Sequence, residues 1–466
     1  MLRILDRVHD LAFPFTCLWT VASPTQIWKP LPNLPLEIWL EIFQWSTYMY
    51  RSTTIEPLSP LTVTHTPTDV MGANTPILST RTKCALVRVC RSWRHISLQI
   101  LYQHIVIRSP SRAALILQVL RDSHSDNSNY GHWTRHIELF THARGSTDIR
   151  FLQTIFRIFQ YCPRLRMLSA TWRIVVPKEF LDAVSRLYGP ALQGLYWDEQ
   201  KHALEKTHAS LNFLASFHSL RTLDLRNFVG DSLPSRTGSP PPTLPCLNHI
   251  ILSNQGLNIS VAASLKLPAL HTLTLQSLIG HPVRLDLITK LLDAHGPSLI
   301  NVHLPSPSSG SDNEPSQPRA PAQHIPPSLF LRPGVCPNLD TFTFGANSPA
   351  ITFESDEPHA HPSLRRIALH SVRADALYPS RGPNETQTHL RSFTRAAYPH
   401  LEMVRTAGFL VDADVDSLVK DVFIYWGERF ERDGVDFQDG EGVVWMYGDD
   451  VDETAGPVKS ATCVIP

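Results

Sequence analysis

The side chains that could bind metals or form disulfides do not stand in the spacings that such chemistry needs. The chain has 466 residues, with 7 cysteines and 22 histidines. The cysteines are scattered without a Cys-x-x-Cys pair, and their odd number argues against both a disulfide framework and a structural zinc site. The histidines form no His-Glu-x-x-His pair, and Asp433, Asp436 and Asp439 recur at every third position, unlike the alternate positions of a calcium loop. We therefore expect no bound metal, no cofactor and a reducing compartment.

The sequence also lacks the motifs of the common enzyme classes. It contains no Gly-x-Ser-x-Gly elbow, no Walker A lysine loop and no Gly-x-Gly-x-x-Gly fingerprint. The chain has 42 positive and 42 negative side chains, so its net charge is zero. A chain without net charge has no overall field that would attract nucleic acid or an acidic membrane. No apolar run approaches the roughly 20 residues that span a bilayer. These observations predict a non-catalytic binding protein, cytoplasmic and/or nuclear, without nucleic-acid or membrane partners.

We expect the first 31 residues to be an N-terminal extension without a targeting role. Arg3 and Arg7 precede an apolar stretch at 11–22 that loosely resembles a signal peptide, but two aspartates and two prolines interrupt the pattern. An extracellular leucine-rich receptor or a secreted hydrolase is the alternative that would require cleavage of this stretch. Such extracellular repeats usually carry cysteine-rich caps, and the sequence has none.

Two amphipathic segments near the N-terminus are separated by a polar tract. Apolar residues recur at helical spacing over 36–48, where Asn33 can cap the first turn, and again over 83–101. The tract between them, 51–81, is rich in Ser, Thr and Pro and has no period, so we expect it to be a disordered insertion. The pattern therefore predicts short helices on either side of a long loop.

The two amphipathic segments resemble the two halves of an F-box. The first reads Leu-Pro-Leu-Glu-Ile from residue 34, and the second reads Val-Cys-Arg-Ser-Trp from residue 89. The halves are separated by roughly 30 residues where the family usually has a few, but a flexible loop of this length adds little closure entropy. The resemblance implies a three-helix F-box at 32–104 that binds a Skp-type adaptor and, through it, a cullin. The adaptor-binding residues that it implies are Leu34, Pro35, Leu36, Glu37, Ile38, Ile42, Phe43, Val89, Cys90 and Trp93.

The remainder of the chain repeats one phrase, in which apolar residues stand at the first, fourth and sixth positions. Such a phrase ends like a short strand, and its period of about 23 to 40 residues is typical of leucine-rich repeats. Apolar residues at helical spacing in 151–161, 180–187 and 285–295 predict helices that connect one strand to the next. The copies begin at Leu165, Leu192, Leu220, Leu247, Leu270, Leu299, Leu339 and Leu364, with a weaker copy at Leu401 and a degenerate one over 133–139.

These patterns predict an α/β chain: an N-terminal three-helix F-box followed by an irregular leucine-rich-repeat solenoid over 105–410. We expect the proline-rich segments at 230–245, 305–328 and 378–388 to be loops that extend from the solenoid. The segment 411–466 is rich in acidic residues, and we expect it to form a C-terminal cap or tail.

The implied function is that of a substrate receptor in a Skp–cullin–F-box ubiquitin ligase. The F-box would bind the adaptor, and the repeats would bind a client protein. The alternative is a non-catalytic F-box and leucine-rich scaffold that binds the adaptor without directing degradation. The sequence does not identify the client.

Overall fold

A single sheet of fourteen strands organises the part of the chain that the structure describes. The computed structural model describes residues 34–48, 61, 76–141, 148–173, 176–199, 211–228, 241–278, 281–306, 323–351, 361–378, 384–411, 417–447 and 461–464. The strand order in the sheet equals the chain order, and the first twelve strands are all parallel. The protein is therefore a mixed α/β chain with a mostly parallel sheet.

The strands are short, as repeats of one phrase predict. The first seven are β1 His104–Ile107, β2 His136–Phe140, β3 Met167–Trp172, β4 Gly194–Glu199, β5 Thr222–Asp224, β6 His249–Ser253 and β7 Thr272–Gln276. The last seven are β8 Asn301–His303, β9 Thr341–Gly345, β10 Arg366–His370, β11 Met403–Ala407, β12 Asp436–Gln438, β13 Val444–Tyr447 and β14 Ala461–Val464.

The central apolar residue of each phrase lies in register with that of the next strand. Leu223 of β5 pairs with Ile250, and Leu273 of β7 pairs with Ile250 and Val302. All four side chains are buried. Because side chains alternate across a strand, the polar residues between them point to the other side of the sheet, which we call the open face. Leu223 and Leu273 are thus core residues of the sheet.

Three helices precede the sheet, and the others lie between its strands and contribute apolar side chains to the core of the sheet. The N-terminal ones are α1 Leu36–Ser46, α2 Pro76–Val89, α3 Arg91–Gln103, α4 Pro110–Ser125, α5 Ile149–Tyr161, α6 Lys178–Tyr188 and α7 Leu211–Ala215. The later ones are α8 Gly256–Ser264, α9 Leu285–His295, α10 Ser328–Leu331, α11 Ala374–Leu377, α12 Glu385–Ser392 and α13 Ser417–Glu431. The predicted helices at 151–161, 180–187 and 285–295 correspond to α5, α6 and α9.

Several predicted boundaries differ from the structure. The sheet begins at β1, before the first recognised phrase, and its parallel part continues through β12, beyond the predicted end at residue 410. Helix α2 begins at Pro76, so the end of the predicted disordered insertion, 76–81, is helical. Proline fits the first turn of a helix, where its missing N–H is not needed. Of the remaining insertion only Leu61 is described, and most of the predicted proline-rich loops, with the extension 1–31, lies outside the described residues.

The C-terminal edge of the sheet turns antiparallel. Strand β13 pairs antiparallel with β12 and with β14. The turn into β13 is built by Asp439, whose carboxylate accepts hydrogen bonds from the backbone N–H groups of Glu441 and Val443, each at 2.9 Å, and from Nε1 of Trp445 at 2.9 Å. Asp439 is thus a turn-forming residue within the predicted C-terminal cap.

Candidate docking surface

The first three helices form a small core that is separate from the core of the sheet. Phe43 of α1 is buried together with Ile96 and Ile100 of α3. The rings of Trp39 and Trp93 lie over them, with Trp93 4.7 Å from Phe43 and 5.1 Å from Trp39 between ring centroids. Aromatic rings at these distances add to the apolar burial that holds α1 against α3.

A hydrogen bond joins the two sides of the long insertion. The Ser79 hydroxyl donates to the carbonyl of Thr47 at 2.7 Å, and the Thr47 hydroxyl donates to the carbonyl of Phe43 at 2.6 Å. Ser79 and Thr47 are both buried, so these bonds satisfy polar groups at the end of α1. The start of α2 is thereby fixed to the end of α1.

The side of α1 that faces away from this core carries an exposed apolar strip. The strip consists of Ile38, Ile42 and Trp45, which are 41%, 42% and 69% exposed. Their spacing of four and three residues puts them on one line along the helix. Helix α1 thus carries apolar side chains on its inner face, toward α3, and on its outer face. Exposed apolar surface of this kind is typical of a contact with a partner.

The structure divides the residues that the F-box resemblance implies into surface and interior. Seven of them are exposed and lie directly before α1, on α1 or at the α2–α3 junction: Pro35, Leu36, Glu37, Ile38, Ile42, Val89 and Cys90. Leu34 and Trp93 are half-buried, and Phe43 is fully buried. Phe43 therefore belongs to the core of the three helices, and a partner on the exposed strip would not touch it.

Cys90 has a structural function that the motif alone does not reveal. It separates α2 from α3 in an extended conformation, and its Sγ accepts a hydrogen bond from the backbone N–H of Trp93 at 3.4 Å. This is the position and the contact of a helix N-cap, a role that serine, threonine, aspartate and asparagine usually fill. The break at Cys90 turns the predicted helix over 83–101 into two helices.

Sequence reasoning missed three exposed apolar side chains in the same unit. Trp45 and Tyr48 follow on α1 and just after it, and Leu78 stands in the first turn of α2. Trp45 could have been found from its spacing to Ile38 and Ile42. Leu78 falls within the tract 51–81, whose sequence shows no helical period.

The open face of the sheet carries a second group of polar side chains. Arg226, just after β5, forms an ion pair with Asp224 at 2.8 Å and donates from Nη1 to Gln276 at 3.1 Å. The Asp224 carboxylate, the largest influence, raises the pKa of the Arg226 guanidinium. Asp198 on β4 lies close by, and burial raises the pKa of its carboxyl. This face therefore carries charged and amide side chains that are joined by hydrogen bonds.

A basic cleft of about 350 Å³ opens beside α4 and α5. Arg121 and Arg157 line it together with His124 and His132, and no acidic side chain is among its lining residues. None of the residues of the exposed strip lines it either. The cleft is therefore a separate surface feature.

No family model and no curated protein matches the sequence. The described helices include none that is both long and apolar enough to cross a membrane. Within the same residues, no three His, Cys, Asp or Glu side chains are grouped closely enough to hold a metal ion.

Proposed function

We propose that this protein is the substrate receptor of a Skp–cullin–F-box ubiquitin ligase. The three helices α1–α3 are its F-box and bind a Skp-type adaptor, which connects the chain to a cullin. The parallel strands and their helices form a leucine-rich-repeat solenoid that binds a client protein. The protein itself catalyses no reaction, and it acts in the cytoplasm and/or the nucleus.

One observation carries this proposal: the exposed strip of Ile38, Ile42 and Trp45 on a helix whose opposite side is already buried. An isolated unit of three short helices buries little surface, and a partner on the strip would complete its burial. The strip stands in the sequence segment that resembles the first half of an F-box, so the adaptor is the partner that fits it.

The client surface in this proposal is the open face of the sheet. Side chains there stand on regular strands, which hold them in fixed relative positions, as a recognition surface requires. Polar groups such as Asp198, Arg226 and Gln276 provide directional hydrogen bonds, and such bonds discriminate between partners.

The adaptor contact is tested by placing a charge on the strip. We expect Ile38→Asp and Ile42→Asp each to weaken binding of a Skp-type adaptor by at least roughly thirty-fold, the effect of losing an interface anchor worth about 2 kcal/mol. Both side chains are exposed in the free chain, so thermal unfolding should change little. The measurement is calorimetric titration of the purified full chain with the adaptor.

The matched control is Leu285→Asp, which puts the same charge on an apolar side chain that is 46% exposed at the start of α9. This variant should bind the adaptor like the wild type. Equal adaptor binding by the Ile38, Ile42 and Leu285 variants would contradict the proposed function.

A second measurement separates a ligase receptor from a scaffold that binds the adaptor alone. Proteins that co-purify with the full chain after proteasome inhibition are added to a reconstituted ligase, and ubiquitin transfer to them is followed. The Ile42→Asp variant serves as the negative control. Transfer that requires the intact strip supports the receptor function, and co-purification without transfer supports the scaffold.

A further inference from the structure

Basic side chains from two neighbouring helices meet in the basic cleft beside α4 and α5. Arg121 and His124 come from the last two turns of α4, and Arg157 comes from the last two turns of α5. His132 enters from the single turn of 3₁₀ helix at Tyr130–Trp133. All the lining residues stand on helices or directly after one, so the cleft is not part of the open face of the sheet.

The two guanidinium groups of the cleft are not neutralised by an acidic neighbour. Neither Arg121 nor Arg157 forms an ion pair with any residue that the structure describes. By contrast, Arg226, Arg284 and Arg373 each pair with an aspartate two residues away. The cleft therefore presents two positive charges, with their N–H donors, to a ligand.

Further arginines increase the positive charge next to the cleft. Nη1 of Arg135 donates to the carbonyl of His132 at 3.0 Å and to the carbonyl of Arg164 at 3.3 Å. Burial, and then the positive charges of Arg166 and Arg164, lower the pKa of the Arg135 guanidinium. Like charges thus act on one another here, and the local potential is positive although the chain as a whole has no net charge.

The turn after α4 holds both imidazoles in place. Nδ1 of His124 donates to Oδ1 of Asn129 at 2.7 Å, since an amide oxygen can only accept, and its Nε2 has no partner among the described residues. Asn129 is left-handed, with a φ of 43°, and its carbonyl accepts a hydrogen bond from the backbone N–H of His132 at 2.9 Å. A Cβ atom on Gly131 would overlap the carbonyl oxygen of Tyr161, so the turn packs directly against the end of α5. The cleft is therefore formed before a ligand arrives.

The lining groups fit a phosphate better than a carboxylate. A guanidinium group has a planar fork of N–H donors that matches two phosphate oxygens, and charge-assisted bonds of this kind are strong. Two guanidinium groups balance the charge of a phosphate dianion, whereas a carboxylate balances only one of them. The cleft of about 350 Å³ also leaves room for the group that carries the phosphate, beside the ring of Tyr161 and Pro163.

We propose that the basic cleft binds a dianionic phosphate group. Arg121 and Arg157 are its main ligands, and the imidazoles of His124 and His132 are further hydrogen-bond partners. The phosphate belongs either to a phosphorylated side chain of a protein or to a free phosphate, because the same donors recognise both.

The test titrates the full chain with matched probes by calorimetry at equal ionic strength. The probes are a short Gly-Ser peptide with one phosphoserine, the same peptide without the phosphate, and inorganic phosphate. We expect saturable binding of a phosphate probe and none of the unphosphorylated peptide. Tighter binding of the phosphopeptide than of inorganic phosphate identifies a phosphorylated protein as the source, and the reverse order identifies a free phosphate.

Variants locate the binding in the cleft. Arg121→Gln and Arg157→Gln should each lose roughly ten-fold or more of the affinity for the phosphate probe, since each removes a charge-assisted contact. The matched control is Arg332→Gln, which removes an exposed arginine at the end of α10, outside the cleft. This variant should bind like the wild type.

A measurement on the wild type alone covers the case in which the variants do not fold. Phenylglyoxal modifies guanidinium groups, and the bound phosphate probe should protect Arg121 and Arg157 while Arg332 remains reactive. The proposal would be overturned by the absence of saturable binding of either phosphate probe. Unchanged affinity in both cleft variants, or equal modification with and without phosphate, would overturn it too. None of the residues of the exposed strip lines the cleft, so the result is independent of adaptor binding and leaves the proposed function untouched.

Discussion

Tyr102, in the last turn of α3, stacks on Tyr130 with ring centroids 4.8 Å apart and planes 21° apart. Tyr130 in turn stacks on Trp133 at 5.4 Å. The backbone N–H of Arg135 donates to the carbonyl of Gln103 at 2.9 Å, and the Thr134 hydroxyl donates to the carbonyl of Tyr102 at 3.0 Å. The third helix is thus packed against the start of the sheet and runs directly into β1.

Replacing the buried ring of Tyr130 should loosen this junction. We expect Tyr130→Ala to lower the free energy of unfolding by about 3 kcal/mol, as for other large-to-small changes in a core. Tyr130→Phe keeps the stacked ring and should lose less than about 1 kcal/mol. Urea denaturation of both variants is the measurement. A Tyr130→Ala chain as stable as Tyr130→Phe would show that the stacked rings do not contribute to stability.

Burial predicts very different effects at two positions of one repeat. Leu273 is buried in the core of β7, whereas His271 is exposed two residues earlier. Leu273→Ala should destabilise the protein by roughly 2–5 kcal/mol, and His271→Ala by about 0.5 kcal/mol or less. Thermal unfolding compares the two variants. Similar losses at both positions would mean that Leu273 is not a core residue.

Asp198 should make stability depend on pH in a defined direction. Burial raises the pKa of its carboxyl in the folded protein above its ordinary value. Above pH 4 the unfolded chain releases this proton more readily than the folded one, so the residue costs stability as pH rises toward its folded pKa. Asp198→Asn removes that cost and should stabilise the protein at pH 7 by up to about 1 kcal/mol, since the site is partly solvated. The gain should shrink toward zero near pH 3 in unfolding experiments across this range, and a gain that does not change with pH would refute the assignment.

The cap at Cys90 can be separated from any role in adaptor binding. Cys90→Ser retains an acceptor for the Trp93 N–H group and provides a better one, so its stability should equal or exceed that of the wild type. Cys90→Ala removes the acceptor and should cost about 0.5–1 kcal/mol. Unfolding and adaptor titration are measured on both. If Cys90→Ser binds the adaptor more weakly without being less stable, the thiol itself contacts the partner.

Four residues show where strand pairing begins. Arg221, His271, Asp340 and Arg365 each stand directly before a strand, and their backbone N–H groups bond to the preceding repeat. The pattern of apolar residues specifies which side chains enter the core, but it does not specify where a strand's pairing begins. That boundary depends on hydrogen bonds to another repeat.

The sequence by itself determined the features that depend on local periodicity. The buried ladder through Leu223, Leu273 and Val302 and the helix α5 follow from apolar residues at strand or helix spacing, because each such residue must leave water. The exposed apolar strip on α1 could be predicted in part for the same reason, from Ile38 and Ile42. Local spacing needs no knowledge of distant residues.

Only the tertiary structure decided which distant residues meet. His303 and His370 are brought together because their strands, β8 and β10, lie on either side of β9 in the sheet. Phe43 is buried and Ile42 exposed because α3 packs on one side of α1 and not on the other. Spacing along the chain carries no information about such contacts, since they depend on how separate elements pack against each other.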